Sequence, residues 1–186
     1  GVWMNCLVDD VAVELDSHPR WKEGTWNARF DPAQNELVLS HAASVDLVEA
    51  LAQHVATSDD AFLVVEGGPR QSFYMQLMRD EGVGVIEAVS NAFLDRSVQL
   101  SPGQIARLRL LGFALGTSSE DHPTNYQVKA SSVPQVATWM RAVLETIYDA
   151  PADTIQFRAA EPMDPLAIKS VSDLERLMNR AGPQSP

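Results

Sequence analysis

Residues 72–112 constrain the fold more than any other stretch, because they spell out a strand, a turn, a return strand and a capped helix in succession. Ser72–Arg79 (SFYMQLMR) is rich in aromatic and long apolar side chains. Asp80-Glu81-Gly82 supplies turn chemistry, with a glycine free to take positive φ. Val83–Val89 (VGVIEAV) reads as the return strand, and Ser90-Asn91 break the pattern. A helix is expected from Ser101, which can cap, with Pro102 where its missing N–H costs nothing and Gln104 able to complete a capping box. Gly112 ends it. Alternation puts Phe73, Met75 and Leu77 on one face of the first strand and Tyr74, Gln76 and Met78 on the other. On the return strand Ile86 and Ala88 oppose Val85, Glu87 and Val89. The purer apolar set is expected to face the core. The face that also carries Gln76 and Glu87 is then partly exposed, either as a binding surface or as the seat of another helix or a subunit. A one-residue register shift would invert this assignment.

The flanking segments extend the pattern. Asp9–Asp16 alternates Val11, Val13 and Leu15 with polar or small residues, in the manner of a short acidic strand or a frayed helix, and Trp21 and Trp26 read as anchors for this arm. Trp26–Phe30 and Glu36–Ser40 predict a hairpin about the turn residues Asp31–Asn35. A helix is expected over Val45–Ala56, capped by Ser44, with Leu47, Val48, Leu51 and Val55 on one side. Ala61–Val65 reads as a strand buried on both faces, and Gly67-Gly68 as a turn, since no Lys-Ser/Thr follows to make a phosphate loop. Phe113–Gly116 and Asn125–Ala130 predict two more strands. A further helix is expected to start at Ser132 as cap, with Pro134 in its first turn and Gln135 at the box position, and to carry Val136, Trp139, Met140, Val143 and Ile147 as its stripe. Past Asp149, Pro151, Pro162 and Pro165 suggest a linker with a short extended piece at 154–158. A last helix is expected over about 171–181, and its Leu174, Leu177 and Met178 need a surface to bury against.

The expected organisation is an N-terminal arm and hairpin (1–43), an α+β domain (44–150), and a proline-containing linker with a C-terminal helix (151–186). In the middle part the order is helix, three strands, helix, two strands, helix.

Composition narrows the function. The formal net charge of −11 repels a phosphate backbone, so nucleic acid is not an expected partner. Arg107 and Arg109 lie two apart on a helix, do not share a face, and read as solvated charges. No apolar run is long enough to span a bilayer. The opening residues lack a signal peptide's basic flank and apolar stretch. Gly1 is not a natural start, so the chain reads as processed, excised or tagged, with room for a neighbouring domain. The lone Cys6 cannot close an internal disulfide, which fits a reducing cytoplasm. His18, His41, His54 and His122 show no metal or catalytic spacing, and Asp59-Asp60 and Glu120-Asp121 read as loop acids. The expectation is a non-enzyme without metal or cofactor.

Phe73-Tyr74-Met75-Gln76-Leu77, Ile86-Glu87-Ala88-Val89-Ser90-Asn91, Leu110-Leu111-Gly112-Phe113 and Asn125-Tyr126, in this order of elements, resemble the TY-Chap families. These are actinobacterial domains grouped with type III secretion chaperones and YbjN proteins. The resemblance spans somewhat more than half the chain and departs at Phe113, where the family commonly has Trp. It implies an α+β fold, an antiparallel sheet with helices packed on it, and a peptide- or protein-binding chaperone or adaptor, commonly dimeric, that holds extended client segments on apolar patches. It brings no catalytic residues. The residues themselves point to the mixed hairpin face as the candidate peptide-binding site: Tyr74, Gln76, Met78, Val85 and Val89. A client could also add to an open sheet edge. The alternative is a structural subunit of a larger bacterial complex, or a conflict-system regulator, docking through Leu174, Leu177 and Met178.

Overall fold

The computed structural model describes residues 28–31, 36–43, 45–57, 59, 61–116 and 123–160. The expected strand at 9–16, Trp21, Trp26, the Ser44 cap, His122 and the C-terminal helix with Leu174, Leu177 and Met178 lie outside these residues.

Among the described residues eight strands form one antiparallel sheet: β1 (Ala28–Asp31), β2 (Glu36–Ser40), β3 (Phe62–Gly67), β4 (Phe73–Asp80), β5 (Val83–Ala88), β6 (Ala114–Leu115), β7 (Tyr126–Lys129) and β8 (Gln156–Ala160). Their spatial order is β1-β2-β8-β3-β4-β5-β7-β6. Helix α1 (Val45–Thr57) precedes β3, α2 (Pro102–Leu110) follows β5, and α3 (Val136–Thr146) follows β7. The fold is therefore α+β, with the expected succession of elements between residues 45 and 146.

The β4–β5 hairpin forms because Glu81 (φ 48°) and Gly82 (φ 79°) both take left-handed conformations. A two-residue turn of that kind matches the twist of the strands it joins. Cross-strand register then sorts side chains into two faces. Leu37, Ala159, Leu63, Leu77 and Ile86 stand in one row, and Leu39, Phe157, Val65, Met75, Ala88 and Tyr126 in the next. All are buried. They pack under α1, through Leu47, Val48, Leu51 and Val55, and under α3, through Ala137, Met140, Val143 and Leu144. Each large side chain so buried contributes roughly 2 kcal/mol relative to exposure.

The capping box at α2 is present in full. The Gln104 N–H donates to the Ser101 hydroxyl (3.2 Å), and the Ser101 N–H donates to the Gln104 side chain (2.8 Å). The start of α3 differs from the expectation. The helix opens at Val136 after a left-handed Gln135 (φ 49°), and Ser132 lies in a short 3₁₀ turn with its hydroxyl donating to the Lys129 carbonyl. The cap comes from another helix: Glu49 of α1 accepts from the Thr138 N–H at 2.7 Å. The other end of α3 is met by α2, where Gln104 donates to the Ile147 carbonyl (2.6 Å) and Arg107 to that of Thr146 (3.0 Å). Arg107 is thus a helix-end ligand as well as a surface charge.

The expected extended piece at 154–158 is β8, and it does not lie in a linker. It is inserted between β2 and β3, bonded to both, so the sheet runs across residues 43/44 and 150/151. The approach to β8 is tied to the β3–β4 connection: the Gly68 N–H donates to the Thr154 hydroxyl (2.9 Å), and Gln71 donates to the Thr154 carbonyl (3.0 Å). Gly68 sits at φ 78°, ψ −167°, a region open in practice only to glycine. A Cβ there would also strike the Phe73 ring. Gly68→Ala is expected to cost about 3 kcal/mol, measured as a lowered urea midpoint at unchanged m-value.

Candidate peptide-binding surface

The face of the sheet away from α1 and α3 is built from the opposite parity of every strand. Phe62, Met78, Val85 and Lys129 face one another in one cross-strand row. Val38, Arg158, Val64, Gln76, Glu87 and Gln127 form the next, and Gln156, Glu66 and Tyr74 the third. An apolar row thus runs beside a polar one. Phe62, Val64, Tyr74, Gln76, Met78, Val85 and Glu87 are all half-buried, which corrects the reading of residues 61–65 as buried on both faces: Ala61, Leu63 and Val65 belong to the core, and Phe62 and Val64 do not.

The polar groups of this face pair mostly with one another. Gln127 donates to Glu87 (2.7 Å), and Asn125 donates to the Tyr74 hydroxyl (3.1 Å). Arg158 on β8 bridges two carboxylates, Glu36 on β2 at 3.1 Å and Glu66 on β3 at 3.6 Å. Glu66 also accepts from Gln156. Glu36 and Glu66 are only 4% and 9% exposed, a burial that carboxylates tolerate when paired.

Four of the five residues expected here, Tyr74, Gln76, Met78 and Val85, do share this face. Val89 does not offer itself to a client. It lies past the end of β5, is 1% exposed, and its N–H donates to the Tyr74 carbonyl (3.0 Å). Strand alternation assigned it to the mixed face, but the strand ends at Ala88 and the Val89 side chain belongs to the hydrophobic core. Phe62, Val64 and Arg158 were not singled out in the sequence. The alternation Phe62-Val64-Glu66 against Leu63-Val65 carried the signal for the first two.

At the β7 end a groove of about 710 Å³ opens beside the sheet. Its walls include Val85, Leu111, Val128, Lys129, Val133 and Trp139. Trp139 was expected as a core anchor. It is half-buried and stacks on Phe113, ring centroids 5.5 Å apart and 14° from parallel. Among the described residues no group of three His, Cys, Asp or Glu is placed to hold a metal ion, and no helix is long and apolar enough to cross a membrane.

An antiparallel sheet with helices on one face and striped apolar and polar side chains on the other defines a binding domain more readily than a catalytic one. Residues 45–157, more than half of the chain, match the family TY-Chap3, described as the T3SS (YopN, CesT) and YbjN peptide-binding chaperone 3. The chain belongs to this family, a family of chaperone-like binding domains and not a known family of enzymes. No curated protein and no solved structure matches it.

Behind Val89 lies the best-buried phenol of the chain. The Tyr148 hydroxyl donates to the Val89 carbonyl at 2.7 Å, and its ring meets Phe73. Burial, reinforced by Tyr126 and Tyr74, raises its pKa well above the ordinary phenol value. The folded state therefore keeps a proton that the unfolded chain loses above about pH 10. The stability tied to this proton is complete below that pH and falls as pH rises beyond it, by about 1.4 kcal/mol per unit. Tyr148→Phe is expected to cost about 1 kcal/mol at neutral pH through the lost hydrogen bond. It should also flatten the decline above pH 10, as read from urea midpoints across pH 7–11.

Proposed function

We propose that this chain is a peptide-holding chaperone or adaptor that keeps an extended client segment on the open face of its sheet. The observation that carries this reading is the row Phe62–Met78–Val85, apolar, half-buried, and on the face away from α1 and α3. Tyr74 adds an aromatic surface two residues along β4 from Gln76, and Gln76, Glu87 and Gln127 give neighbouring polar groups for a client's main chain. Family membership supports the same role. Alternate side chains of an extended client would meet the apolar row while the others face water, a matching of periods two to two. The single cysteine fits action in a reducing compartment, the cytoplasm.

The test uses an array of unrelated decapeptides probed with the wild type and with a Phe62→Asp, Met78→Asp double variant whose circular dichroism and unfolding midpoint show it to be folded. Each lost apolar contact weakens binding by roughly 1 kcal/mol or more, so the variant is expected to lose at least about tenfold in affinity for the retained peptides. A folded variant that retains the same peptides as the wild type with equal affinity would overturn the proposal.

A further inference from the structure

The apolar row of the open face is bordered by a carboxylate on either side. Along the β4–β5 hairpin the cross-strand pairs on this face are Gln76 with Glu87, Met78 with Val85, and Asp80 with Val83. Successive side chains on one face of a strand stand two residues apart, about 7 Å. Glu87 therefore borders Val85 on one side of the row, and Asp80 borders Met78 on the other. Asp80 ends β4 and is exposed, as is Glu81 beside it in the turn. Glu87 is half-buried, and its hydrogen-bond partner Gln127 is neutral, a contact that does not offset the carboxylate's charge. Glu36 and Glu66, farther along the face, share Arg158. Lys129 closes the row at the β7 end, opposite Val85. Among the described side chains the face thus carries more acid than base, in keeping with the net charge of −11 on the whole chain.

We propose that the client held on this face is a segment in which bulky apolar residues alternate with lysine or arginine. The inference rests on the reading of the chain as a peptide holder and names the chemistry of what it holds. A client lying along the row presents every second side chain to Phe62, Met78 and Val85. The side chains between them start out away from the sheet. Those of Lys and Arg are long enough to fold back, with their stems on the apolar row and their cationic ends at its borders. Asp80 receives one such end on the turn side of the row, and Glu87 another on the side of Gln127. Acidic client side chains would meet like charge at both borders, on a chain that already repels them at long range. Lys129 sets where the basic residues belong: opposite β4 and β5, and not at the β7 end.

The probes are three fluorophore-labelled peptides, Gly-Leu-Lys-Phe-Lys-Leu-Gly and its counterparts with Gln or Asp in place of both Lys. Anisotropy is read against the whole chain at about 0.15 M salt, where exposed charges farther apart than about 8 Å are largely screened. The Lys peptide is expected to bind tightest and the Asp peptide weakest, about tenfold apart. Two variants of equal net charge separate the borders of the row from the charge of the chain. Asp80→Asn with Glu87→Gln neutralises the borders. Asp95→Asn with Asp153→Asn removes two exposed charges elsewhere, past the Ala88 end of β5 and ahead of the Gln156 start of β8. The border pair should weaken the Lys peptide about fivefold more than the Gln peptide, and the distant pair less than about twofold more. The proposal is overturned if the Gln or Asp peptide binds the wild type as tightly as the Lys peptide does, or if the distant pair lowers the preference as much as the border pair. In either case the peptide-holding reading stands if a folded Phe62→Ser, Met78→Ser variant loses the Gln peptide. If that variant binds all three peptides as the wild type does, the open-face reading falls and the proposal with it. Both fall as well if no peptide binds the wild type, and a dimer that the Phe62/Met78 change dissociates would then assign the face to a second copy of the chain.

Discussion

The insertion of β8 between β2 and β3 is the constraint on which the rest of the structure depends. Without it the sheet would divide into a two-stranded hairpin, marginal in water by itself, and a five-stranded remainder with an open edge at β3. With it, every main-chain group of Phe62–Glu66 finds a strand on both sides. Side chains settle the register. Phe157 and Ala159 enter the core beside Val65 and Leu63, and Arg158 emerges opposite Val64 between two buried carboxylates. A slip of one residue would bury a guanidinium under the helices and take it away from the carboxylates of Glu36 and Glu66, a penalty of several kcal/mol. The ion network contributes little as a source of stability, but it specifies one alignment of three strands. That alignment sets the rows of the open face.

Helix ends are handled by the same long-range logic. The first turn of α3 takes its acceptor from Glu49, and its last carbonyls take donors from Gln104 and Arg107. Helix α3 is thereby tied at both ends to the other two helices as well as by its apolar stripe. The connection is directional in a way that apolar contact is not. Gln104 serves two ends at once, closing the capping box of α2 and meeting the Ile147 carbonyl. The orientation of α3 over the sheet, and so the position of Trp139 at the groove, follows from these bonds and from the Phe113 stack.

How much of this could be read in the sequence follows from the range of each interaction. The β4–β5 hairpin, its two faces and the start of α2 were legible because turn, alternation and capping box act within a few residues. The start of α3 was not, because Ser132 and Gln135 imitate a local cap whereas the acceptor in use is Glu49, distant in sequence. Strand β8 was legible only as an extended piece. Its five residues follow Pro151, and nothing local says that their partners are residues 37–40 and 62–66. Val89 misled for the opposite reason: period two held up to Ala88 and ended one residue before the pattern did. The groove was invisible, since it is formed by the shortness of β6, a property of pairing and not of composition.

The striping of the open face is itself a physical compromise. A face as apolar as the opposite one would associate with any like surface, the hazard of every uncovered sheet. Here the apolar row is bordered by groups paired among themselves, Glu87 hydrogen-bonded to Gln127 and Arg158 in ion pairs with Glu36 and Glu66. They keep the face wetted without demanding a partner. The net charge of −11 opposes self-association at long range. What remains is an apolar stripe about one side chain wide, too narrow to bury a folded surface and matched to the alternate side chains of an extended one. A surface of these dimensions discriminates by conformation before it discriminates by sequence.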